Sequence, residues 1–461
     1  MVAPVRDEAC FIFNWHFTGN GGMLNLVAIS TALLLSKLFL SLIFCREVWD
    51  RENHMHTSIL RKSANEESWM DFLNYKIEKQ HLSKEEERKL RQFIERKAYL
   101  PLCSAWQEGR FPSELPIKRM VNKEGTKKKR IVYSFEGDEG IFLKFIAFSL
   151  YQYDAVFSDN CYAFRRGIGA RDAIARLGKD RRVEKSYCLK ADISNYFNSI
   201  NVKKLLLKLD FLKENDPSLY QLFEKMLLEG RVRENGRIIC EEHGAMAGTP
   251  VSPFFANVYL KDVDAFFEKE GVLYFRYSDD ILLFADSPAK LQDRKRQLES
   301  VLTELDLTLN PDKVNLYRPG EALEFLGFCC QGSKIDLSAH TIRKTKARIK
   351  RKAEALRRWQ RDKGLSGEKA AIGFIRAMNR KFYGSGSKEN EIWDEFTWNK
   401  WFFPNLTVDV GLREIDVYMQ EYIRYAVTGR HYKGNYRIRY DTMKEWGYRS
   451  LVHEYYRWRN G

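Results

Sequence analysis

The chain has 461 residues, of which 44% are hydrophobic and 30% charged, an ordinary globular balance with enough length for two or three domains and a large core. Its eight cysteines form no Cys-x-x-Cys pair, which argues against a zinc ribbon or a disulfide framework and favours a reducing cytoplasm. The net charge of +15 favours a polyanionic partner, with nucleic acid as the first candidate, and the aromatic residues, 14% of the chain, can stack on bases as well as fill a core.

The N-terminal extension, residues 1–65, contains a strongly apolar stretch, Leu24–Phe44. Its length matches the ~20 residues needed to cross a bilayer. Because Lys37 interrupts it and the rest of the chain has a cytosolic composition, we interpret it as a helix buried in the fold or in an oligomer interface. The alternatives are a membrane anchor, an uncleaved signal-like helix, or an upstream extension from a misassigned start before Met23.

Charged helical and hairpin patterns follow this extension. Glu66–Lys97 has a helical pattern in which Ser83 and Glu86 fit a capping box. Lys118–Tyr133 contains two strand-like runs around a glycine turn and predicts a basic hairpin, for which a solvated turn is the alternative. In Cys161–Leu177 the pattern predicts a strand, a basic loop and then a helix.

Two apolar strand patterns end in aspartates. Tyr187–Ile200 places Asp192 at the end of a strand-like run, and Tyr274–Phe284 predicts a buried hairpin with Asp279 and Asp280 at its tip. Burying carboxylates is costly unless a positive group pairs with them, so a divalent metal is the favoured partner and a solvated Asp-Asp turn the alternative. Paired strands would bring the acids together, and three acids around a cleft can hold two Mg²⁺ ions about 3.5–4 Å apart for in-line attack on phosphorus.

Between these acid segments, Val202–Leu228 predicts a helical stretch with core leucines. His243–Leu260 predicts a glycine-rich loop that enters a helix capped near Thr249 or Ser252. The small residues of the loop would allow its backbone to approach a base pair closely.

The C-terminal part is basic and aromatic. Arg343–Arg361 contains ten Lys or Arg and one acid, whereas Ile342, Ile349, Ala353 and Leu356 fall on one helical face. This pattern predicts a helix with a core stripe and a basic face that follows a nucleic-acid backbone, with a solvated basic face as the alternative. The tyrosines, tryptophans and arginines of the tail suit binding of structured RNA by stacking and phosphate contacts, or core packing.

The ordered set of motifs over about residues 112–330 resembles the reverse transcriptases. The resemblance rests on the basic hairpin, Phe-Arg-x-Gly, Asp192, the Gly-Pro loop, Tyr-Ser-Asp-Asp, the lysine turn and Glu-Phe-Leu-Gly-Phe. It implies an α/β (α+β) right-hand polymerase with fingers, an antiparallel-sheet palm and a helical thumb behind an N-terminal helical extension. The expected boundaries are 66–185 for the fingers, 186–335 for the palm and 336–461 for the thumb and C-terminal RNA-binding region.

The resemblance also implies the roles of the site residues. Asp192, Asp279, Asp280 and the backbone carbonyl of Ile193 are expected to hold two Mg²⁺ ions, with Mn²⁺ as the alternative ion. Lys313 is expected to protonate the leaving pyrophosphate as a general acid.

Five further residues are expected to contact the incoming dNTP. Phe197 is the expected steric gate against a 2′-hydroxyl, Arg165 the candidate for template or nucleotide contact, and Asn257 the candidate for positioning the nucleotide. Lys128 and Arg130 match the residues that grip the triphosphate. The chain departs from its relatives at Met246-Ala247, where they often have Pro-Gln.

The expected function is that of a stand-alone bacterial reverse transcriptase of the retron, abortive-infection or defence-associated "unknown" groups, acting in the cytoplasm. The expected partners are an RNA template, dNTPs and a DNA primer or product; the template is a dedicated, structured non-coding RNA, and the role antiphage defence. The alternatives are an RNA-binding splicing factor derived from an intron maturase, and an untemplated or protein-primed DNA polymerase. Assembly into a homo-oligomer stays open, and membrane association is the minority interpretation.

Overall fold

The computed structural model describes residues 58–80, 82–122, 129–384 and 397–461, which form one unit. The predicted helix Leu24–Phe44 and the predicted fingertip residue Lys128 lie outside the described residues. Within those ranges, no helix is long and apolar enough to cross a membrane.

Four helices precede the first two strands and a fifth follows them, and the five pack around a core of aromatic rings. Trp69 is fully buried and stacks on Phe145 with ring centroids 4.1 Å apart and on Tyr99 at 5.4 Å. The predicted capping box of Ser83 and Glu86 is present. The helices are α1 (Ile59–Ser63), α2 (Glu66–Gln80), α3 (Lys84–Glu95), α4 (Tyr99–Gln107) and α5 (Gly137–Ser149).

The predicted basic hairpin is present as β1 (Ile117–Asn122) and β2 (Lys129–Ser134). The two strands pair antiparallel, from Ile117 opposite Ser134 to Asn122 opposite Lys129. A second hairpin, β4 (Arg231–Glu234) and β5 (Arg237–Cys240), joins it through a parallel bridge between Ile117 and Arg233. These four strands form one sheet in the order β2-β1-β4-β5.

The central sheet has the order β6-β7-β3-β8, and all its strand pairs are antiparallel. The strand β7 is buried on both faces, where Ile281, Leu282 and Leu283 are fully buried. A strand buried on both faces has a continuous hydrophobic run in its sequence, as this one does. The strands are β3 (Tyr187–Asp192), β6 (Tyr274–Tyr277), β7 (Asp280–Ala285) and β8 (Asn315–Tyr317), and the flanking helices are α6 (Ala170–Lys179), α7 (Arg181–Lys185), α12 (Ser252–Lys269) and α13 (Pro288–Glu304).

The predicted helical stretch Val202–Leu228 is divided into three helices. Proline stands at the start of the third helix, and the Asp216 carboxylate caps it by accepting a hydrogen bond from the Leu219 backbone N–H. The stretch is helical as predicted, and it is interrupted because a proline without an N–H and a capped N-terminus start a new helix. The segment comprises α9 (Val202–Lys208), α10 (Phe211–Asn215) and α11 (Pro217–Leu228), preceded by the one-turn helix α8 (Tyr196–Ser199).

A third sheet and a helical region complete the chain. The predicted basic helix is α14, whose stripe residues Ile342, Ile349 and Ala353 are buried against neighbouring helices. It packs on α15 and α17. The strands are β9 (Leu323–Phe325), β10 (Phe328–Gln331) and β11 (Lys334–Leu337), and the helices are α14 (Ala339–Asp362), α15 (Gly367–Tyr383), α16 (Trp398–Phe402), α17 (Val410–Thr428), α18 (Tyr440–Glu445) and α19 (Leu451–Asn460).

Candidate active site

Strand pairing brings the three predicted aspartates to one end of the central sheet. In the register of β3 with β7, Asp192 lies directly opposite Asp280. The backbone N–H of Ile193 donates to the Asp279 carbonyl at 3.2 Å, which ties the end of β3 to the turn between β6 and β7. Acids that lie far apart in the sequence are therefore neighbours in space, as the strand patterns predicted.

The turn that carries Asp279 is tight and strained. Tyr277 pairs with Asp280, so Ser278 and Asp279 alone connect the two strands. Ser278 has φ +60° and is 6% exposed. A non-glycine residue in this left-handed region costs roughly 1–2 kcal/mol, and such strain persists only where surrounding contacts hold it.

Burial and mutual repulsion make Asp279 and Asp280 easier to protonate. Burial raises the pKa of Asp280 to about 6, opposed by the charge of Lys190 and reinforced by the charges of Asp279 and Asp192. Burial also raises the pKa of Asp279, and the charge of Asp192 adds to it. A buried cluster of like charges binds a cation favourably because the cation relieves both costs.

Lys313 supplies a positive charge to this cluster. Its Nζ donates to Oδ2 of Asp192 at 2.7 Å, although the lysine side chain is 56% exposed. Burial acts to lower the pKa of Lys313, but the hydrogen bond and charge of Asp192, with the charges of Asp279 and Asp280, raise it overall. The lysine is therefore held at the acids in its ammonium form.

The donor set fits a hard divalent cation, because carboxylate and carbonyl oxygens are the ligands that Mg²⁺ prefers. In the described part of the chain, no three acidic, cysteine or histidine side chains already form a metal-binding group. At this site the Lys313 ammonium bonds Oδ2 of Asp192, one of the oxygens that a metal would take. The raised pKa values of Asp279 and Asp280 are the observation that favours a cation here.

The sequence analysis missed a buried ion pair next to the hairpin of β6 and β7. Arg276 and Asp264, both 0% exposed, form a salt bridge of 2.5 Å. The Arg276 guanidinium also donates to the Ser278 carbonyl at 3.2 Å, to Oδ1 of Asn257 at 3.2 Å and to Sγ of Cys161 at 3.0 Å. The available signal was Arg276 itself, a charged residue within an otherwise apolar and aromatic strand beside the acids.

Two predicted nucleotide-binding residues turn out to be internal. The Arg165 side chain is 7% exposed, and its guanidinium donates to the carbonyls of Ser158, Cys161 and Asp154. Asn257 is fully buried and donates through Nδ2 to the Ala163 carbonyl at 2.7 Å. Both side chains hold the chain between residues 154 and 163, and their contact with a nucleotide stays a prediction.

The other predicted contact residues lie at the surface or the rim. Arg130 is exposed in β2, opposite Val121 of β1. Phe197 is half-buried in α8, and its ring meets the rings of Tyr196 and Phe164 at centroid distances of 5.6 Å and 6.3 Å. These two residues are thus accessible to a ligand.

The glycine-rich loop that contains Gly244 packs closely against the backbone of Phe197 and Asn198. A Cβ on Gly244, which has φ +55°, would lie 2.4 Å from the Phe197 carbonyl oxygen, so the loop packs directly behind the segment that carries Phe197. Met246 is 1% exposed and packs with Tyr133 and Val232. Gly244 and Met246 therefore have packing roles inside the protein, and the close approach of this loop to a base pair stays a prediction.

Comparison with known proteins agrees with this arrangement. Residues 121–330 match the family model described as reverse transcriptase (RNA-dependent DNA polymerase). A curated relative, the retron Ec86 reverse transcriptase of Escherichia coli, is 23% identical over 168 residues, which are 36% of this chain and 48% of the relative. The chain thus spans about half the length of the curated relative that it matches.

Two solved telomerase structures show a weaker likeness. The telomerase of Candida albicans in complex with a fragment of telomeric RNA has a TM-score of 0.38 at 13% identity, covering 79% of this chain and 70% of that one. The apo telomerase of Candida tropicalis has a TM-score of 0.38 at 10% identity, covering 48% and 55%. At these TM-scores and identities, neither structure supports a conclusion about the fold or family of this chain.

The predicted mixed helix-and-sheet fold of a right-hand polymerase is confirmed. Its central sheet, the three aspartates and their neighbouring lysine all lie within the matched residues 121–330. Residues 121–330 therefore match a reverse transcriptase domain, and the chain is similar to a retron reverse transcriptase of Escherichia coli.

Proposed function

We propose that the chain is an RNA-directed DNA polymerase that adds dNTPs to a 3′-hydroxyl. The observation that carries this proposal is the register of β3 with β7, in which Asp192 lies opposite Asp280 and beside the turn of Asp279. The family match over residues 121–330 supports the same reaction.

The residues of the candidate active site have two proposed roles in this reaction, metal binding and proton donation. Asp192, Asp279, Asp280 and the Ile193 carbonyl are the proposed metal ligands. Two Mg²⁺ ions, or Mn²⁺ in their place, would activate the attacking 3′-hydroxyl and stabilise the leaving pyrophosphate. Lys313 is the proposed general acid for that pyrophosphate, since its ammonium is held at the acids.

The proposed substrate is a dNTP held between the hairpin and the acids. Arg130, with Lys128, would bind the triphosphate, because arginine and lysine both form charge-assisted hydrogen bonds with phosphate oxygens. Phe197 would lie against the sugar and exclude a 2′-hydroxyl. Arg165 and Asn257 would contribute by holding the backbone between residues 154 and 163.

The double substitution Asp279→Asn with Asp280→Asn tests the reaction. We expect loss of Mg²⁺-dependent dNTP incorporation, because the neutral amides remove two of the three charged ligands, while RNA binding persists. Incorporation on a primed RNA template and RNA affinity are measured in parallel. Asp286→Asn, at the exposed end of β7, is the matched control. Equal activity of the double variant and the parent would refute the proposed reaction.

The substitution Phe197→Ala tests the proposed gate. We expect it to admit ribonucleotides, because removing the ring opens space beside the 2′ position, and to leave dNTP incorporation measurable. The ratio of kcat/KM for dGTP to that for GTP is the readout. An unchanged ratio would remove Phe197 from the choice of sugar.

We infer further that the template is a dedicated, structured non-coding RNA and that the role is antiphage defence. The support is the likeness to a retron reverse transcriptase together with the net charge of +15. Sequencing the nucleic acid that co-purifies with the protein, and the DNA that it makes, tests both inferences. Intron RNA in that fraction would favour a splicing factor, and DNA joined to the protein would favour protein priming.

A further inference from the structure

Phe164 has a strained backbone conformation with positive φ, and its side chain is exposed to solvent. Among the described residues, three large apolar side chains have positive φ, namely Phe164 (+58°), Met246 and Leu326, and Phe164 is the exposed one at 41%. A bulky side chain in this region is a genuine outlier. Strain of this kind concentrates at ligand-binding sites.

The backbone on both sides of Phe164 is fixed. Ala163 is fully buried, and its carbonyl accepts the Asn257 amide at 2.7 Å. Arg165 follows, with its guanidinium bonded to three carbonyls of the preceding segment. The backbone N–H of Tyr162 donates to the Arg276 carbonyl of β6 at 2.9 Å, which joins this segment to the catalytic hairpin.

The fixed backbone directs the Phe164 ring toward the candidate active site. Its centroid lies 6.3 Å from that of Phe197, in an edge-to-face arrangement, and 6.5 Å from that of Tyr277, the residue before the turn of Asp279. Phe164 also lines a cavity of about 390 Å³ with Gly248, Pro250 and Lys144. An exposed apolar ring beside Phe197, Tyr277 and an open cavity does not contribute to the protein core.

We propose that Phe164 is a nucleotide-binding residue that packs its ring against the sugar and base of a nucleotide bound at the acids. The inference rests on the proposed polymerase function and extends it to a residue on a different segment from Phe197. An aromatic ring can stack on any base, because every base offers an apolar face. Lys144, which lines the same cavity, provides positive charge for a phosphate. The nucleotide is the incoming dNTP or the terminal pair of the primer and template.

The test compares Phe164→Ala, Phe164→Leu and Phe164→Tyr with the parent. Removing the ring in the alanine variant raises the KM for dNTPs about tenfold if the ring packs on the incoming nucleotide. If the ring packs on the primer–template end, the Kd of that duplex rises by a similar factor. The leucine variant shows the same defect in part, and tyrosine restores the parent value. Leu100→Ala, at 42% exposure in α4, is the matched control and leaves both constants unchanged.

Melting temperatures separate binding from folding. An exposed ring contributes little to stability, so Phe164→Ala melts within a few degrees of the parent. If the alanine variant does not fold, the KM and Kd values of Phe164→Leu and Phe164→Tyr are compared with each other. Both variants keep a large side chain, so this comparison decides whether the aromatic ring binds the nucleotide. KM and Kd values within twofold of the parent in the leucine variant overturn the proposal. A parent protein that incorporates no dNTP refutes the polymerase function instead, which is a distinct result.

Discussion

Asp280 opposes folding at neutral pH in the absence of metal. Its pKa of about 6 lies above the ordinary value of 3.8, because burial disfavours its charged form. The charge therefore destabilises the metal-free fold fully above pH 6, and that cost is relieved as the pH falls from about 6 towards 3.8, because the folded state takes up a proton in this range before the unfolded state does. A bound cation would relieve the same cost at neutral pH.

Replacing Asp280 by Asn should stabilise the metal-free protein at pH 8. The expected gain in the free energy of unfolding is on the order of 1–3 kcal/mol, because the amide carries no buried charge. The gain should shrink as the pH falls from 7 to 5. Urea unfolding of parent and variant in EDTA across this range measures the difference. A gain that does not vary with pH would contradict the assigned cause.

At the scale of single residues, the sequence located the acids but not the residues that support them. Asp192, Asp279 and Asp280 follow β-strand patterns that can be read locally. The partners of Arg276, by contrast, come from α12 and from the segment near Cys161, which are brought to it only by the fold. The internal hydrogen bonds of Arg165 and Asn257 could not be predicted for the same reason, since a local motif does not report burial.

At the scale of elements, the Arg276 network joins three parts of the chain. The guanidinium of β6 bonds Asp264 and Asn257 of α12, Cys161 of the preceding segment and the Ser278 carbonyl of the turn. Tyr274 of the same strand donates its hydroxyl to Asp264 at 2.9 Å. The strained turn that positions Asp279 is thus anchored to a helix.

Replacing Arg276 by Met should destabilise the protein by about 3–5 kcal/mol, because it leaves the Asp264 charge buried without a partner. Adding Asp264→Asn should restore part of the stability but not kcat, since the Ser278 carbonyl still lacks its donor. Urea unfolding and kcat, measured on both variants, separate the two effects. Arg91→Met, which breaks the exposed pair with Glu87, is the control. Recovery of kcat together with stability would show that the network acts on folding alone.

Elements could be predicted where the local signals were strong. The basic hairpin and the hairpin of Asp279 follow from alternating or apolar runs around a turn. The hairpin of β4 and β5 was missed although Asn235-Gly236, both at positive φ, is a strong two-residue turn signal. The parallel bridge that joins it to β1 has no local signal, because it pairs residues from distant segments.

At the scale of the molecule, one long helix of the C-terminal region carries ten Lys or Arg. The helix α14 buries its apolar stripe against α15 and α17 and leaves Arg343, Arg351 and Lys352 exposed. Such a face suits the phosphate backbone of a duplex. Binding of phosphates by these side chains releases counterions, so it makes affinity depend on salt.

Replacing Arg343, Arg351 and Lys352 together by Gln should weaken binding to primed RNA of any sequence. The slope of log K against log salt should fall by about one for each phosphate that the variant no longer neutralises. Titrations between about 50 and 200 mM salt measure the slope. Lys89→Gln, which removes an exposed charge from α3, is the control and should leave the slope unchanged. A steep slope retained by the triple variant would place the duplex elsewhere.

The position of β3 at the centre of its sheet has a consequence for biosynthesis. This strand leaves the ribosome first, whereas its neighbours β7 and β8 are translated later. Until they emerge, the nascent chain exposes Cys188, Leu189 and Ala191, which are all buried in the finished sheet. Long-range pairing of this kind is slow and exposed to aggregation. A product terminated before β7 therefore has the first aspartate but no partner strand, and chaperones have to protect it.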